Sequence, residues 1–301
     1  MNDLLGMRIL IAGGTGFIGS RLVSMLVNEG CNLSIISRKE QQIAFKEVKY
    51  YRADLNDISS LQKIESKYDA CIYMAANIPL KGQAKESYLD ARKTTLDPLT
   101  NFCEVFSSTV SKFVYISSID VLGSCSTVEY DKDTNVNVAT PYGLAKFCGE
   151  FYVKDYCCMN TIPYIILRFS QVYGPKEPLV RVIPIMKDAL INQKEFTIYS
   201  DGSELRRFLF IDDAIQAILC ALKENETGVF NIAGSEVCSL LELVRKMEKV
   251  YDRKLKLKIL NNSHGQSNVP AIAKAENLLH YHSNFSVYEG LHKIKMEESH
   301  E

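Results

Sequence analysis

The pair Tyr142 and Lys146, four residues apart in "TPYGLAK", is the first feature of the chain that could do chemistry. Residues at i and i+4 share one face of a helix, so a lysine ammonium there could favour the phenolate of the tyrosine. The chain contains 16 tyrosines, and about one such pair is expected by chance. The pair is therefore either catalytic or incidental on a surface helix, and other features must decide.

Histidine usage narrows the possible chemistry. All five histidines lie within residues 264–301, which excludes a Ser–His–Asp triad or a histidine-rich metal site in the first 263 residues. Any acid–base catalysis by the first 263 residues must therefore use Tyr, Lys, Ser, Asp, Glu or Cys. The nine cysteines are scattered without a C-x-x-C pair, so we expect reduced thiols, a cytoplasmic location and no metal.

The overall composition also excludes some partners. The formal net charge is −1, and charged residues make up 24% of the chain, so no global field would hold it on nucleic acid or an anionic membrane. No apolar run approaches the roughly 20 residues that span a bilayer. We expect a small-molecule partner, with no nucleic acid and no membrane.

Short apolar runs alternate with helical patterns along the first part of the chain. This alternation predicts a parallel, doubly wound α/β sheet of the Rossmann type, because parallel strands need crossover connections. The predicted strands are 7–13, 33–37, 48–55, 69–76, 112–118, 164–170 and 228–234, and the predicted helices include 17–30, 84–108, 141–158 and 239–251.

Beyond about residue 172 the alternation becomes less regular. We expect a dinucleotide-binding domain over 1–172, with 209–232 returning to it. A smaller C-terminal lobe that binds substrate would comprise 173–208 and 233–301.

The stretch "GGTGFIG" places Gly13, Gly16 and Gly19 three apart, between the first strand and the first helix. Glycines there permit a tight turn, a close approach of backbone N–H groups to a pyrophosphate, and close helix–strand packing. An isolated glycine triplet is weak evidence, but its position in a βαβ unit predicts a dinucleotide site.

The tip of the second strand, "IISRKE", bears on the choice of cofactor. It carries Ser37 and Arg38 and no acid, and a hydroxyl with a guanidinium suits the 2′-phosphate of NADP. NADP is therefore preferred over NAD, with a solvated basic turn as the alternative. Asp54 could bind the adenine amino group or cap the turn that follows it.

The order of these motifs resembles the extended short-chain dehydrogenase/reductase family of sugar-nucleotide epimerases, dehydratases and reductases. The resemblance runs from about residue 7 to about residue 291 and favours the catalytic interpretation of Tyr142 and Lys146. Its marks are "GGTGFIG", "ADL", "MAA" at 74–76, "VYISS" at 114–118, Tyr142-x-x-x-Lys146, "LRFSQVYGP" at 167–175, "RRFLFIDD" at 206–213 and "GVFNIAG". By resemblance, Phe17, Ile18, Leu55, Ala75 and Ala76 join the glycines, Ser37, Arg38, Asp54, Tyr142 and Lys146 as cofactor-binding residues.

The resemblance also implies catalytic roles. Tyr142 would be the acid/base, although a free phenol, with a pKa near 10, is mostly protonated at pH 7. Lys146 would favour the phenolate and hold the nicotinamide ribose, and Ser118 would hydrogen-bond the reacting oxygen. Ile119 stands where related 4,6-dehydratases carry an acid, which disfavours dehydration. Asp120 is a tentative additional acid or base.

Several residues of the second half correspond to substrate positions in the family. Gln171 replaces a common substrate-binding asparagine, and Arg206 is expected on the substrate diphosphate, with Arg207 adding positive charge. Thr95 is a tentative substrate contact. Leu122 is expected to alter the pocket wall, and Asp212 and Asp213 are expected to cap the helix that follows them.

These features favour an NADP-preferring enzyme that reduces a 4-keto-(6-deoxy)sugar of a nucleoside diphosphate at C4. The alternative is a 4-epimerase that retains NAD, which would use the same residues. A remote alternative is a non-catalytic nucleotide-binding protein of this fold. By resemblance, the helices near 84–108 and 141–158 imply a homodimer.

Overall fold

A computed structural model describes residues 4–38, 45, 48–65, 67–77, 87–106, 109–123, 136, 138–178, 181–262 and 265–299. The strands are β1 (Arg8–Ala12), β2 (Asn32–Ser37), β3 (Val48–Arg52), β4 (Ala70–Tyr73), β5 (Phe113–Ser118), β6 (Tyr164–Phe169), β7 (Val172–Tyr173), β8 (Glu195–Ile198), β9 (Leu205–Arg206), β10 (Leu209–Phe210), β11 (Gly228–Ile232), β12 (Cys238–Ser239) and β13 (Lys256–Ile259). The α-helices are α1 (Phe17–Asn28), α2 (Ile58–Leu61), α3 (Tyr88–Ala91), α4 (Asp97–Phe106), α5 (Pro141–Met159), α6 (Val182–Ile191), α7 (Ile211–Lys223), α8 (Leu240–Tyr251), α9 (Ala273–Leu278) and α10 (Val287–Glu298).

Seven strands form one sheet in the order β11-β6-β5-β4-β1-β2-β3. Every neighbouring pair in this sheet is parallel, so the predicted doubly wound Rossmann-type fold is confirmed. The order changes direction at β1, and in such sheets ligands bind beyond the carboxyl ends of the strands at that point.

The inner strands of the sheet are buried on both faces, which explains why their residues are mostly apolar. In β1, Ile9 and Ile11 belong to the core that includes α1 and α7. Leu10 and Ala12 point the other way, into the core that includes α4 and α5. The period-2 geometry of a strand thus divides one apolar run between two cores.

The second half of the chain adds small sheets around this framework. β8 pairs with β13, β9 with β12, and β7 with β10. β11 returns to the main sheet, where it pairs with β6 at the edge. The division of the chain into two lobes with the boundaries given above remains our proposal. Within the described residues, no helix is both long and apolar enough to cross a membrane.

The predicted capping role of Asp212 and Asp213 is wrong. The cap of α7 is Phe210, which supplies no side-chain hydrogen bond. Asp212 instead forms ion pairs with Arg21 of α1 and Lys293 of α10. Asp213 is fully buried and accepts hydrogen bonds from the segment 283–285. Both carboxylates therefore tie distant parts of the chain to the start of α7.

Candidate active site

A cavity of about 1180 Å³ lies at the carboxyl edge of the main sheet. Its wall includes the glycine turn, the ends of β4, β5 and β6, the start of α5, and residues of the second half of the chain. The sequence-predicted residues on this wall are Gly13, Gly16, Phe17, Ile18, Gly19, Ala76, Ser118, Asp120, Tyr142, Lys146, Gln171, Arg206 and Arg207.

The glycine turn has the backbone geometry that a dinucleotide pyrophosphate requires. Gly13 has φ of +92°, and a Cβ there would lie 2.8 Å from the Ala75 nitrogen. A Cβ on Gly19 would lie 2.1 Å from the Gly13 carbonyl oxygen. Gly16 is the N-cap of α1 and supplies no side-chain hydrogen bond to the first N–H groups of the helix. The residues that carry these N–H groups line the cavity, where an anion could accept their hydrogen bonds. The residues present fit a bound dinucleotide.

The proposed ribose and adenine residues lie beside the cavity rather than on its wall. Ser37 ends β2 opposite Arg52 of β3, and Arg38 is exposed. The Asp54 Oδ1 accepts a hydrogen bond from the Asn56 N–H at 2.9 Å, which is the turn-capping geometry considered as the alternative to adenine binding. The Leu55 carbonyl accepts a hydrogen bond from the Asn101 side chain. Residues 39–44, which follow Arg38 in the chain, lie outside the described residues.

Local geometry presents the Ser118–Tyr142–Lys146 set to the cavity. Ser118 ends β5, and its Oγ accepts a hydrogen bond from the Asp120 N–H at 3.2 Å, leaving the hydroxyl hydrogen for donation to a ligand. Thr140 caps α5 through a hydrogen bond from the Gly143 N–H, and a proline follows at the first helical position. With this cap the helix begins one residue before Tyr142, so its first turn faces the end of β5.

Gly143, inside "TPYGLAK", was not singled out from the sequence. A Cβ on Gly143 would lie 2.7 Å from the Asp120 carbonyl oxygen. The missing side chain therefore lets α5 approach the short 3₁₀ turn at Ile119–Leu122. A glycine at the third position of a helix, where helix propensity disfavours it, is the signal that could have found this contact.

Lys146 is 2% exposed and donates a hydrogen bond from Nζ to the Ile116 carbonyl at 2.8 Å. Its Nζ lies 5.9 Å from the centre of the Tyr142 ring and 4.9 Å from that of Tyr115. Burial lowers the pKa of Lys146 from 10.5 to about 7, against the opposing effect of Glu150. The protonation of this lysine is therefore sensitive to its neighbours near neutral pH.

A buried ion pair lies one turn beyond Lys146 on α5. Glu150, one turn beyond Lys146, accepts two hydrogen bonds from Arg168 at 2.9 and 2.6 Å. It also accepts one from the Ser117 hydroxyl at 2.5 Å. This network joins α5 to β5 and β6. The sequence signal was an arginine inside the otherwise apolar strand "YIILRF", which requires a partner when buried.

The short turn after Ser118 separates two predicted residues. Asp120 is exposed and lines the cavity. Leu122 is 2% exposed and packs with Ile119 and Val121 in a small cluster. It is not among the residues that line the cavity, so the expected change of the pocket wall is wrong, because the turn directs this side chain inward.

The opposite wall is cationic. Arg206 ends β9, and its guanidinium Nη1 donates hydrogen bonds to the carbonyls of Leu205 and Gln266, which hold the guanidinium in place. Arg207 is the next residue in the chain, and both Arg207 and Gln171 also line the cavity. A cluster of guanidinium groups at one end of a cavity is suited to phosphate oxygens.

Thr95 is not brought to this cavity. It is 1% exposed in the π-helical turn Arg92–Leu96, which connects α3 to α4 and contacts α5. Its substrate role stays a prediction that its burial does not support. Glu177, by contrast, lines the cavity although sequence reasoning missed it.

Comparisons with known proteins agree with this geometry. A model of the NAD dependent epimerase/dehydratase family matches residues 9–233. A dTDP-D-glucose 4,6-dehydratase of Dictyostelium discoideum is 30% identical over 273 residues, covering 82% of this chain. This chain matches only 62% of that protein, less than two thirds of its length.

A Bacillus subtilis protein described as an uncharacterized UDP-glucose epimerase is 30% identical over 312 residues, covering 95% of this chain and 96% of that protein. Among solved structures, UDP-glucuronic acid 4-epimerase from Bacillus cereus, in complex with UDP-glucuronic acid and NAD, is 26% identical. It superposes with a TM-score of 0.83, covering 97% of this chain and 100% of that chain.

Proposed function

The chain belongs to the NAD-dependent epimerase/dehydratase family, and from this premise we propose that it is an NAD-dependent 4-epimerase of a nucleoside-diphosphate sugar. One observation carries the proposal: a dinucleotide turn, the Ser118–Tyr142–Lys146 set and an arginine wall share one cavity. The similarity to solved UDP-sugar 4-epimerases that bind NAD supports it further. This assignment takes the alternative of the sequence analysis in preference to the reductase.

The side chains supply the acid–base half of the reaction. The glycine turn would hold NAD, which would supply reversible hydride exchange at the sugar C4. Tyr142 would take the proton of the 4-hydroxyl and later give it back. Ser118 would donate a hydrogen bond to the same oxygen, and the Lys146 ammonium would favour the phenolate.

The remaining wall residues would orient the substrate. Arg206 and Arg207 would bind the diphosphate, with Gln171 close to the sugar. Ile119 has no acidic group, so the elimination chemistry of the related dehydratases has no acid at that position. An epimerase needs no further acid once one tyrosine both removes and returns the proton.

A second candidate is a net NADP-dependent reductase of a 4-keto-sugar. It is favoured by the strand tips, where Ser37 and Arg38 stand next to Arg52 of β3. Two guanidinium groups and a hydroxyl there suit a 2′-phosphate better than a ribose hydroxyl. The two candidates therefore differ in whether the cofactor is retained and recycled or exchanged at every turnover.

The dinucleotide that the purified protein releases on denaturation separates these candidates. Near-stoichiometric NAD(H), with interconversion of UDP-glucose or UDP-glucuronic acid and their C4 epimers followed by NMR, is the expected result. Released NADP(H), or a protein that binds NADPH more tightly than NADH and epimerises neither sugar, would overturn the epimerase in favour of the reductase.

Replacement of the acid/base tests the assigned mechanism. Tyr142→Phe should lower kcat by about 10²–10⁴-fold, the range for loss of a general acid–base group. Tyr199→Phe is the matched control, because Tyr199 is 64% exposed and does not line the cavity. Equal activity of both variants would remove Tyr142 from the reaction.

We also propose that the protein is a homodimer through α3 and α5. These packed helices carry exposed apolar side chains, including Leu89 at 52% and Phe151 at 69% relative exposure. Light scattering after size exclusion should give twice the 34.0 kDa chain mass. Phe151→Glu should give the monomer and Tyr199→Glu the dimer, whereas a monomeric native protein would refute the proposal.

A further inference from the structure

Glu177 is a buried carboxyl group that the proposed mechanism does not use. It lines the cavity, yet neither of its carboxyl oxygens has a hydrogen-bond partner among the described residues, and both are almost inaccessible to solvent. Buried polar groups are nearly always hydrogen-bonded in native proteins, so a group of this kind on a cavity wall requires an explanation.

The backbone around Glu177 is shaped to place this side chain. β7 leads into a turn closed by a hydrogen bond from the Glu177 N–H to the Gly174 carbonyl at 3.3 Å. Lys176, just before Glu177, has φ of +62°, a conformation that non-glycine residues adopt at a cost and that concentrates at functional sites. Lys176 itself is exposed, whereas the strained turn directs Glu177 inward.

The position of the turn points to the sugar rather than to either end of the cavity. A Cβ on Gly174, at the start of the turn, would lie 3.6 Å from the Phe17 ring beside the glycine turn. Arg181, the cap of α6, lies after Glu177 and lines the cavity with Arg206. Glu177 thus lies in the chain between Gly174, which is close to the glycine turn, and Arg181, and all three of Phe17, Glu177 and Arg181 line the cavity that would hold the nucleotide sugar.

The charge state of Glu177 suits a hydroxyl partner. Burial raises the pKa of its carboxyl to about 8, in spite of the opposing effects of Arg181, the nearby Gly174 backbone and Lys187. Near neutral pH the group is therefore mostly protonated and can both donate and accept a hydrogen bond. A sugar hydroxyl also does both, and a change of the Glu177 side-chain rotamer would be needed to bring the carboxyl into contact with it.

We propose that Glu177 is a specificity residue that hydrogen-bonds a hydroxyl of the hexose other than the reacting 4-hydroxyl. This inference rests on the proposed function, since it presupposes a nucleotide sugar in the cavity. A site with a buried hydrogen-bonding group rejects an analogue that lacks the matching hydroxyl, because the protein group is then left without a partner.

The experiment compares UDP-glucose with its 2-, 3- and 6-deoxy analogues on the native protein, Glu177→Gln and Glu177→Met. Affinities are measured by calorimetry in the Tyr142→Phe background with NAD, so that no turnover is needed, and kcat/KM is measured with Tyr142 present. For the native side chain, we expect one analogue to bind about 10- to 100-fold more weakly than UDP-glucose, as for other lost hydrogen bonds to a buried partner.

The substitutions then report on the same hydroxyl. Glu177→Met should reduce that penalty to less than about threefold and weaken UDP-glucose itself, whereas Glu177→Gln, which still donates and accepts, should keep most of the penalty. Equal penalties in all three proteins would overturn the inference while leaving the epimerase intact. Failure of the Tyr142→Phe protein to bind any UDP-hexose would overturn the proposed function and the inference together.

Discussion

Replacement of Glu150 by glutamine tests whether the buried ion pair between α5 and β6 holds the site together. The Glu150 and Arg168 side chains are only 5% and 12% exposed, and the carboxylate accepts both guanidinium bonds as well as the Ser117 hydroxyl. An amide has one acceptor oxygen and presents N–H donors to Arg168 in place of the other. The variant therefore buries a guanidinium without a counter-charge.

The expected cost follows from this geometry. Removal of one partner of a buried ion pair costs about 3–5 kcal/mol, and the hydrogen bond that the amide oxygen retains offsets about 1 kcal/mol. We expect the free energy of unfolding to fall by about 2–4 kcal/mol. At about 2 °C per kcal/mol, the lower limit for larger chains, the melting temperature should fall by about 4–8 °C.

Urea unfolding at pH 7.5 measures this change, and Glu104→Gln is the matched control. Glu104 is exposed and accepts a hydrogen bond from the Tyr152 hydroxyl at 2.7 Å. Its replacement should change the free energy of unfolding by no more than about 0.5 kcal/mol.

The same variant has an effect on activity that a purely structural role would not produce. The Glu150 charge raises the pKa of Lys146 against the effect of burial, so its loss should move the alkaline limb of the kcat profile to lower pH. If Glu150→Gln unfolds like Glu104→Gln and its pH profile overlays that of the native protein, the reasoning about this ion pair is refuted.

Three further predictions concern other buried groups. Lys146→Met should be inactive, and it should be more stable than the native protein below pH 7, with the difference vanishing towards pH 10.5. The native protein gains stability between these pH values because its unfolded chain binds more protons than the folded protein does. A difference in urea midpoint that stayed constant with pH would contradict this prediction. Gly19→Ala places a Cβ 2.1 Å from the Gly13 carbonyl oxygen and should weaken NADH binding in a fluorescence titration by about 100-fold or more. The control is Gly6→Ala, where the φ of +76° strains a side chain but no atom lies within 4 Å of the Cβ; this variant loses stability but should bind NADH as the native protein does. Lys112→Met removes three hydrogen bonds to carbonyls at the end of α7 and should lower the free energy of unfolding by about 1–3 kcal/mol, whereas an unchanged melting temperature would show that the carbonyls find other donors.

Local features of the sequence were sufficient to predict the framework of the site. Apolar runs broken at regular intervals predicted the parallel sheet, since each strand must be buried on both faces and each crossover needs a helix. The glycine spacing and the four-residue separation of Tyr142 and Lys146 depend only on short-range backbone geometry. Such local rules therefore suffice to assign Ser118 to the end of a strand and Tyr142 and Lys146 to a helix.

Contacts between distant segments could be decided only by the tertiary structure. Glu150 meets Arg168 18 residues later in the chain, and Ser117 33 residues earlier. Asp213 accepts bonds from residues about 70 positions away rather than capping α7. No periodicity in the sequence encodes such pairings, because they depend on how strands and helices stack.

Burial is the second property that the sequence leaves open. Thr95 and Glu177 both occur in unremarkable local sequence, yet one lies in the core and the other on the cavity wall. The amino-acid sequence by itself determined the fold class, and it predicted the dinucleotide turn and the candidate reacting groups from local backbone rules. The tertiary structure alone decided which side chains share the cavity and how far burial shifts the pKa values of Lys146 and Glu177, because desolvation depends on every segment packed around a group.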